Sequence, residues 1–185
     1  MNVEFVEFPK IARLSREVVV TEKIDGTNAS IYIGEDGTFL TGSRSRWITP
    51  DDDNFGFSKW AHEHKDELLA LGPGTHFGEW WGAGIQRRYG LTEKRFSLFN
   101  TSRWADVRPA CCHVVPVLYQ GIFDTARINE QLESLARCGS VAAPGFMKPE
   151  GVVVYHTAGN VGFKKTILKD EVPKALLSKA SASDA

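Results

Sequence analysis

Thr21-Glu22-Lys23-Ile24-Asp25-Gly26-Thr27-Asn28 lies between two β-forming runs, and how this stretch is read decides the fold. Val18-Val19-Val20 before it has the composition of a buried strand, and residues 29–33 after it read as the next one. An Asp-Gly turn closes many hairpins, and a lysine beside one is usually a solvated charge. Chemistry asks for more: a lysine at the end of a strand, its amine aimed into a pocket and able to act as a nucleophile.

Outward from this stretch, Glu35-Asp36-Gly37 supplies turn chemistry, and residues 38–41 return as the second arm of a hairpin. Residues 43–54 are polar and loop-like. Phe57, Trp60, Ala61, His64, Leu68 and Leu71 recur at helical spacing, which predicts one helix, capped by Asp53 or Asn54 and stopped by Gly72-Pro73-Gly74. Strands are expected at 75–81, 96–99, 114–119, 152–155 and 161–163, the last two joined by a turn at Ala158-Gly159-Asn160. Ile128, Leu132 and Leu135 predict a second helix ending at Gly139. Many short strands with a few helices among them point to an α+β fold built on antiparallel sheets.

The 185 residues, 42% of them hydrophobic, suit one domain spanning 1–185, with an Ala/Ser-rich end expected to be flexible over 176–185. A net charge of −1 neither demands nor excludes a nucleic-acid partner, but cations cluster at Arg44 and Arg46, at Arg87 and Arg88, and at Lys94 and Arg95. Cys111, Cys112 and Cys138 offer no CxxC pair and no disulfide framework, and His62 and His64 have no matching third ligand. The N-terminus is too acidic for a signal peptide and no apolar run reaches membrane-span length, so a cytoplasmic location without a membrane partner is expected.

Four further segments bear on Lys23. Gly42-Ser43-Arg44-Ser45-Arg46 follows a strand and offers guanidinium groups that grip phosphate or ribose. Phe77-Gly78-Glu79-Trp80-Trp81 puts a carboxylate inside an apolar strand, which is costly unless the carboxylate is paired or at a ligand. Pro149-Glu150-Gly151 repeats the pattern at the mouth of another strand, and Phe163-Lys164-Lys165-Thr166 brings two lysines onto the next. An amine, two carboxylates and several cations suit transfer of a nucleotidyl group, with magnesium bridging carboxylates and substrate phosphates. One of Trp80 and Trp81 is expected in the core, the other facing the nucleotide or the acceptor strand.

In this order the segments resemble the motifs of the covalent nucleotidyltransferase superfamily: ATP-dependent DNA ligases, RNA ligases and mRNA capping enzymes. Lys23-Ile24-Asp25-Gly26 matches the KxDG motif. Thr21-Glu22-Lys23, Gly26-Thr27-Asn28, Phe77-Gly78-Glu79 and Gly84-Ile85-Gln86 are most similar to the nick-sealing RNA ligases of the phage and kinetoplastid editing type. The resemblance covers residues 18–166. It implies a nucleotidyltransferase (ATP-grasp-like ligase) domain of two antiparallel sheets with flanking helices and the nucleotide pocket between the sheets. It implies ATP as AMP donor, Mg2+ or Mn2+ as cofactor, and RNA with nicked or broken 5′-phosphate and 3′-hydroxyl ends as partner, in nucleic-acid repair. DNA acceptors, capping-type chemistry and a non-catalytic nucleotide- or RNA-binding module are the alternatives.

By the same resemblance, Lys23 would carry the AMP. Glu22 would lie against the adenine edge, and Ile24 and Asn28 would line the nucleotide pocket. Arg44 would contact the nucleotide sugar or the acceptor phosphate. Glu79 would serve the ribose or the metal, and Glu150 the metal. Phe99 would stack on adenine, with Phe96 as alternate. Lys164 and Lys165 would reach the phosphate, and Arg46, Arg87 and Arg88 the nucleic acid. The family's last motif spaces two lysines by one residue; here Thr166 stands in the second place, and neighbouring strand residues point to opposite faces, so one of the adjacent lysines should miss the phosphate. Residues 167–185 are too few for the OB-fold or helical domain that family members append, so a partner protein supplying that domain is expected.

Overall fold

The computed structural model describes residues 3–168 and 170. Strand β1 (Glu17–Lys23) is the Val-rich run before the lysine, and β2 (Thr27–Ile33) the run after it. They do not pair with each other: the Asp25-Gly26 bend sends the chain from one sheet into another. The smaller sheet has the order β10-β9-β1-β8, from β8 (Val117–Ile122), β9 (Gly151–His156) and β10 (Val161–Thr166). The larger has the order β4-β3-β2-β5-β6-β7, adding β3 (Phe39–Gly42), β4 (Trp47–Ile48), β5 (Gly74–Gly82), β6 (Lys94–Leu98) and β7 (Cys112–Val114). All pairings are antiparallel except β6 with β7, which is parallel, so the larger sheet is mixed rather than purely antiparallel.

Two expectations need correction. The helix expected through residue 71 is three pieces: α1 (Phe57–Glu63), α2 (Lys65–Leu68) and a 3₁₀ turn, Leu69–Leu71. The chain kinks at His64, whose φ of −106° and ψ of 17° leave the helical region. The apolar periodicity survives because Phe57, Ala61, Leu68 and Leu71 all bury against the larger sheet. Second, residues 114–119 are not one strand. Pro116 carries no N–H to continue a ladder; β7 stops at Val114 and β8 begins in the other sheet at Val117, with the Pro116 carbonyl accepting the Glu22 N–H. A short helix, α3 (Thr101–Trp104), capped by the Asn100 side chain, had no signal at the level of periodicity. The helix read from Ile128, Leu132 and Leu135 is α4 (Thr125–Cys138), capped by Asp124 and ended by Gly139 at φ 88°. The expected flexible end, 176–185, lies outside the described residues.

Three apolar clusters hold the layers. Behind the larger sheet, Ile31, Trp80, Phe96 and Leu98 pack on Phe57, Leu68 and Leu71. Behind the smaller, Val18, Val20, Val152 and Val154 pack on Ile128 and Leu135 of α4. A third cluster, Ile24, Trp81, Tyr89, Val115 and Ala143, joins the two sheets at the point where the chain crosses between them. Each sheet therefore spends one face on a core and turns residues of the other face toward the crossing at Lys23.

Candidate active site

Lys23 is the last residue of β1. Antiparallel register sets it opposite Gly151 and, through Gly151, in line with Thr166. The next row on that face is Thr21, Val153 and Lys164. Residues directly opposite in a sheet share a face, so Lys23, Lys164 and Thr166 point to one side and the α4-packed Val18, Val20, Val152 and Val154 to the other. Lys165 is on the α4 side, where its amine donates to Asn129 Oδ1 at 2.8 Å. Of the two adjacent lysines, Lys164 shares the face of Lys23 and Lys165 does not. The Thr166 hydroxyl, in the place of the missing lysine, donates to the Leu168 carbonyl.

The Lys23 amine donates to Glu150 Oε2 at 2.6 Å across 127 residues of sequence. Glu150 is buried, not the solvated turn carboxylate its Pro-Glu-Gly context allows. Glu79 on β5 is buried too. No arginine holds it; Oε1 accepts the Gly26 N–H at 3.0 Å and Oε2 the Asn28 amide at 3.2 Å. Gly26 has to be glycine for this approach, since a Cβ there would collide with the Trp80 carbonyl oxygen and lie 2.7 Å from Trp81 Cβ.

Burial pushes the Glu79 carboxyl up from its ordinary 4.5 to about 7. The Gly26 N–H and the Lys23 charge pull it down, and the Glu150 and Asp25 charges push it up. A carboxyl raised in the folded state favours folding while it is protonated. Its contribution is fully present below about pH 4.5 and is lost as pH rises through about 7. Glu79→Gln, neutral throughout, is therefore expected to flatten that fall and to be more stable than wild type at pH 8, by on the order of 2–3 kcal/mol. Urea midpoints measured from pH 4 to 8 check this; parallel curves for the two proteins would remove Glu79 as the titrating group.

Three residues that the resemblance assigns to ligands have their side chains engaged within the protein: Glu22, Ile24 and Arg87. Glu22 is 1% exposed, and its carboxylate accepts Ser140 Oγ at 2.6 Å and the N–H groups of Val141 and Ala142 at 2.8 and 2.9 Å. It faces the α4 side and pins the loop after that helix. The Ile24 side chain is buried in the joint cluster. Trp81 is buried there as well, bonded to Ser97 Oγ, and Trp80 is in the larger core, so neither tryptophan faces a ligand. Arg87 is no surface cation: Nε donates to Asp25 Oδ2 at 2.9 Å, and Nη1 to the Lys148 carbonyl at 2.9 Å. It ties the Asp of the Lys-Ile-Asp-Gly turn to the segment that presents Glu150. Tyr89, with φ 51°, adds a second tie, its hydroxyl accepting the Asp25 N–H at 2.8 Å. Nothing in the sequence marks Tyr89, because its partner lies 64 residues away.

The remaining predicted residues divide between the surface and the core. Asn28 is exposed and orients Glu79. Phe96 is fully buried in the core, whereas Phe99 is 41% exposed and its N–H bonds to the Phe77 carbonyl. Phe77, 61% exposed, shares the face of Glu79; the period of two along β5 was the signal that could have flagged it. Arg44 and Arg88 are exposed, and Arg46 chelates Asp52 through both Nη atoms. Among the described residues no group of three or more His, Cys, Asp or Glu could hold a metal unaided, and no helix is long and apolar enough to cross a membrane.

Arg87→Ala is expected to lower stability by about 2 kcal/mol or more, because Asp25 loses a partly buried charge partner. It should also loosen Lys23 against Glu150. A role in binding nucleic acid would leave any step that uses nucleotide alone untouched; here that step should slow roughly 100-fold, and urea melts with single-turnover rates separate the two readings.

The architecture is that of a covalent nucleotidyltransferase domain, with a lysine at the crossing of two sheets and carboxylates from both around it. The model of the RNA ligase family matches residues 16–169. The chain belongs to the RNA ligase family. A search of curated protein sequences found no match. Among solved structures, it is similar to a Naegleria gruberi RNA ligase variant with ATP and Mn, at 22% identity and a TM-score of 0.62, over 91% of this chain and 53% of that one. It is likewise similar to the Naegleria gruberi RNA ligase with pyrophosphate, at 22% identity and a TM-score of 0.61, over 91% and 52%. A ligand-free variant of that ligase gives 0.60 at 22% identity, over 89% and 52%. At this identity the likeness is one of fold, and the chain spans about half the length of those ligases.

Proposed function

We propose that this chain is the adenylyltransferase unit of an ATP-dependent RNA ligase. The observation that carries the proposal is the Lys23 amine at the end of β1, on one face with Lys164 and held by Glu150, the residue just before the neighbouring strand β9. Lys23 Nζ attacks the α-phosphorus of ATP, a P–N bond forms, and the bond to pyrophosphate breaks. AMP then passes from Lys23 to the 5′-phosphate of an RNA end, and the adjacent 3′-hydroxyl displaces AMP to seal the strand. Alignment in the cleft supplies most of the rate in each step, since an in-line displacement depends on position and charge.

Glu150 and Glu79 fit a divalent cation. Two buried carboxylates near one another, one of them pushed toward neutrality, are relieved by positive charge, and Mg2+ or Mn2+ takes one or two carboxylates and completes its shell with phosphate oxygens and water. When bound it would offset charge on the triphosphate. Lys164, exposed on the same face, would contact the α-phosphate, and Phe99 would stack on the base. Arg44 stands on the loop leaving β3, at the rim where an acceptor phosphate would approach.

Incubation with α-phosphate-labelled ATP and magnesium, followed by denaturation, should leave an acid-labile label on the chain. A nicked duplex with RNA at the 3′-hydroxyl should then be sealed. Absence of label would sink the proposal; label with sealing confined to DNA nicks would reassign the acceptor.

A further inference from the structure

One row of the cleft face is not used by the transfer chemistry. Register sets Trp47 opposite Gly42, Gly42 opposite Ser30, and Ser30 opposite Phe77. The row lies on the face of Asn28 and Glu79, two residues along their strands. Trp47 is 53% exposed, whereas Trp80, Trp81 and Trp104 are buried and Trp60 packs against the larger core. Its indole is held in place. A Cβ on Gly42 would lie 3.3 Å from two of its ring carbons and 2.5 Å from Ser30 Oγ, so the glycine lets the ring rest against the sheet. The Tyr32 ring meets it edge-on at 6.3 Å.

The surrounding charge suits a phosphate. Arg44 is exposed three residues before Trp47. Asp52 is already chelated by Arg46, and the Asp53 carboxylate accepts the N–H groups of Asn54, Ser58 and Lys59; Asp51 faces solvent. An exposed, pre-positioned aromatic beside a cation is the pairing that binds single-stranded nucleic acid, one face for a base and one charge for the backbone. Three strand spacings, roughly 14 Å, separate β4 from β5, which leaves Trp47 outside the nucleotide's place near Phe99 and Glu79 yet on the same floor.

We propose that the Trp47 indole is the stacking platform for an unpaired base of the RNA strand whose end enters the cleft, with Arg44 taking the adjoining phosphate. This rests on the ligase reading above and adds where the acceptor lies. The test uses the full chain, a short 5′-phosphorylated single-stranded RNA, tryptophan emission, and labelling by ATP without RNA as a separate readout. RNA should quench the emission of wild type. Trp47→Phe should lose the quench but keep RNA affinity within about fivefold, and Trp47→Ala should weaken RNA binding roughly 5- to 100-fold. Labelling of Lys23 should stay within about twofold in both, since base stacking on the acceptor plays no part in that step. Arg44→Ala should lower the salt slope of binding by about one. Wild-type affinity in Trp47→Ala, a quench that survives in Trp47→Phe, no RNA binding by wild type, or labelling lost in parallel with binding would each overturn the platform. Should Trp47→Ala fail to fold, the quench in Trp47→Phe still decides. Failure of wild type to take label would instead sink the ligase reading.

Discussion

Lys23→Arg is expected to abolish covalent labelling from α-phosphate-labelled ATP, a loss on the order of 10⁴-fold or more, while the protein melts close to wild type. The guanidinium stays charged and does not serve as a nucleophile, yet it can still pair with Glu150, which the Lys23 amine approaches to 2.6 Å. Lys23→Ala should lose the label equally and also lose stability, because the buried Glu150 carboxylate gives up that ammonium. The pair of variants separates chemistry from structure: label with melting temperature, measured side by side, reads one against the other. Label retained in Lys23→Arg would move the nucleophile elsewhere, with Lys164 the first candidate on the same face.

Glu22→Ala should produce the largest loss of stability, about 3–5 kcal/mol. The carboxylate is 1% exposed and accepts one hydroxyl and two backbone N–H groups from the loop at residues 140–142. Truncation takes that acceptor from all three donors, the Ser140 hydroxyl among them buried. Glu22→Gln keeps the volume but offers an NH2 group where a second acceptor is needed, and should cost about half as much. Urea denaturation gives the magnitude. If Glu22 read the adenine edge, Glu22→Gln would leave stability intact and raise only the ATP concentration needed for labelling. Because the loop carries Ala143 into the joint cluster beside Ile24, the expected order is reversed, with stability falling first.

Much of this was legible along the chain. The valine run, the Asp-Gly turn, the apolar periods at 57–71 and 128–135, and the carboxylates set in apolar strands are local patterns, and local patterns survive into structure when burial agrees with them. Lys23, Glu79 and Glu150 stand out along the chain as charges set beside apolar strands, and the structure brings them together although 127 residues separate the first from the last. Three side chains turn away from the cleft for one reason. Glu22, Lys165 and Arg87 each carry a charge beside a motif, and charge beside a motif looks like a ligand contact. Which face of the strand a charge takes, and what waits there, depends on register between segments far apart in sequence.

That division holds for the whole protein. The α+β class could be read from local composition, and the family, the two-sheet plan and the place of Lys23 from the resemblance of short motifs such as Lys23-Ile24-Asp25-Gly26. Only the tertiary structure decided the rest: that β1 and β2 part into different sheets, that Lys164 and not Lys165 shares Lys23's face, that Arg87 and Tyr89 clamp Asp25, and that Trp47 lies exposed on the floor of the cleft. A one-residue change of register reverses every side chain of a strand, and register is settled by burial across the sheet, which no stretch of chain contains alone.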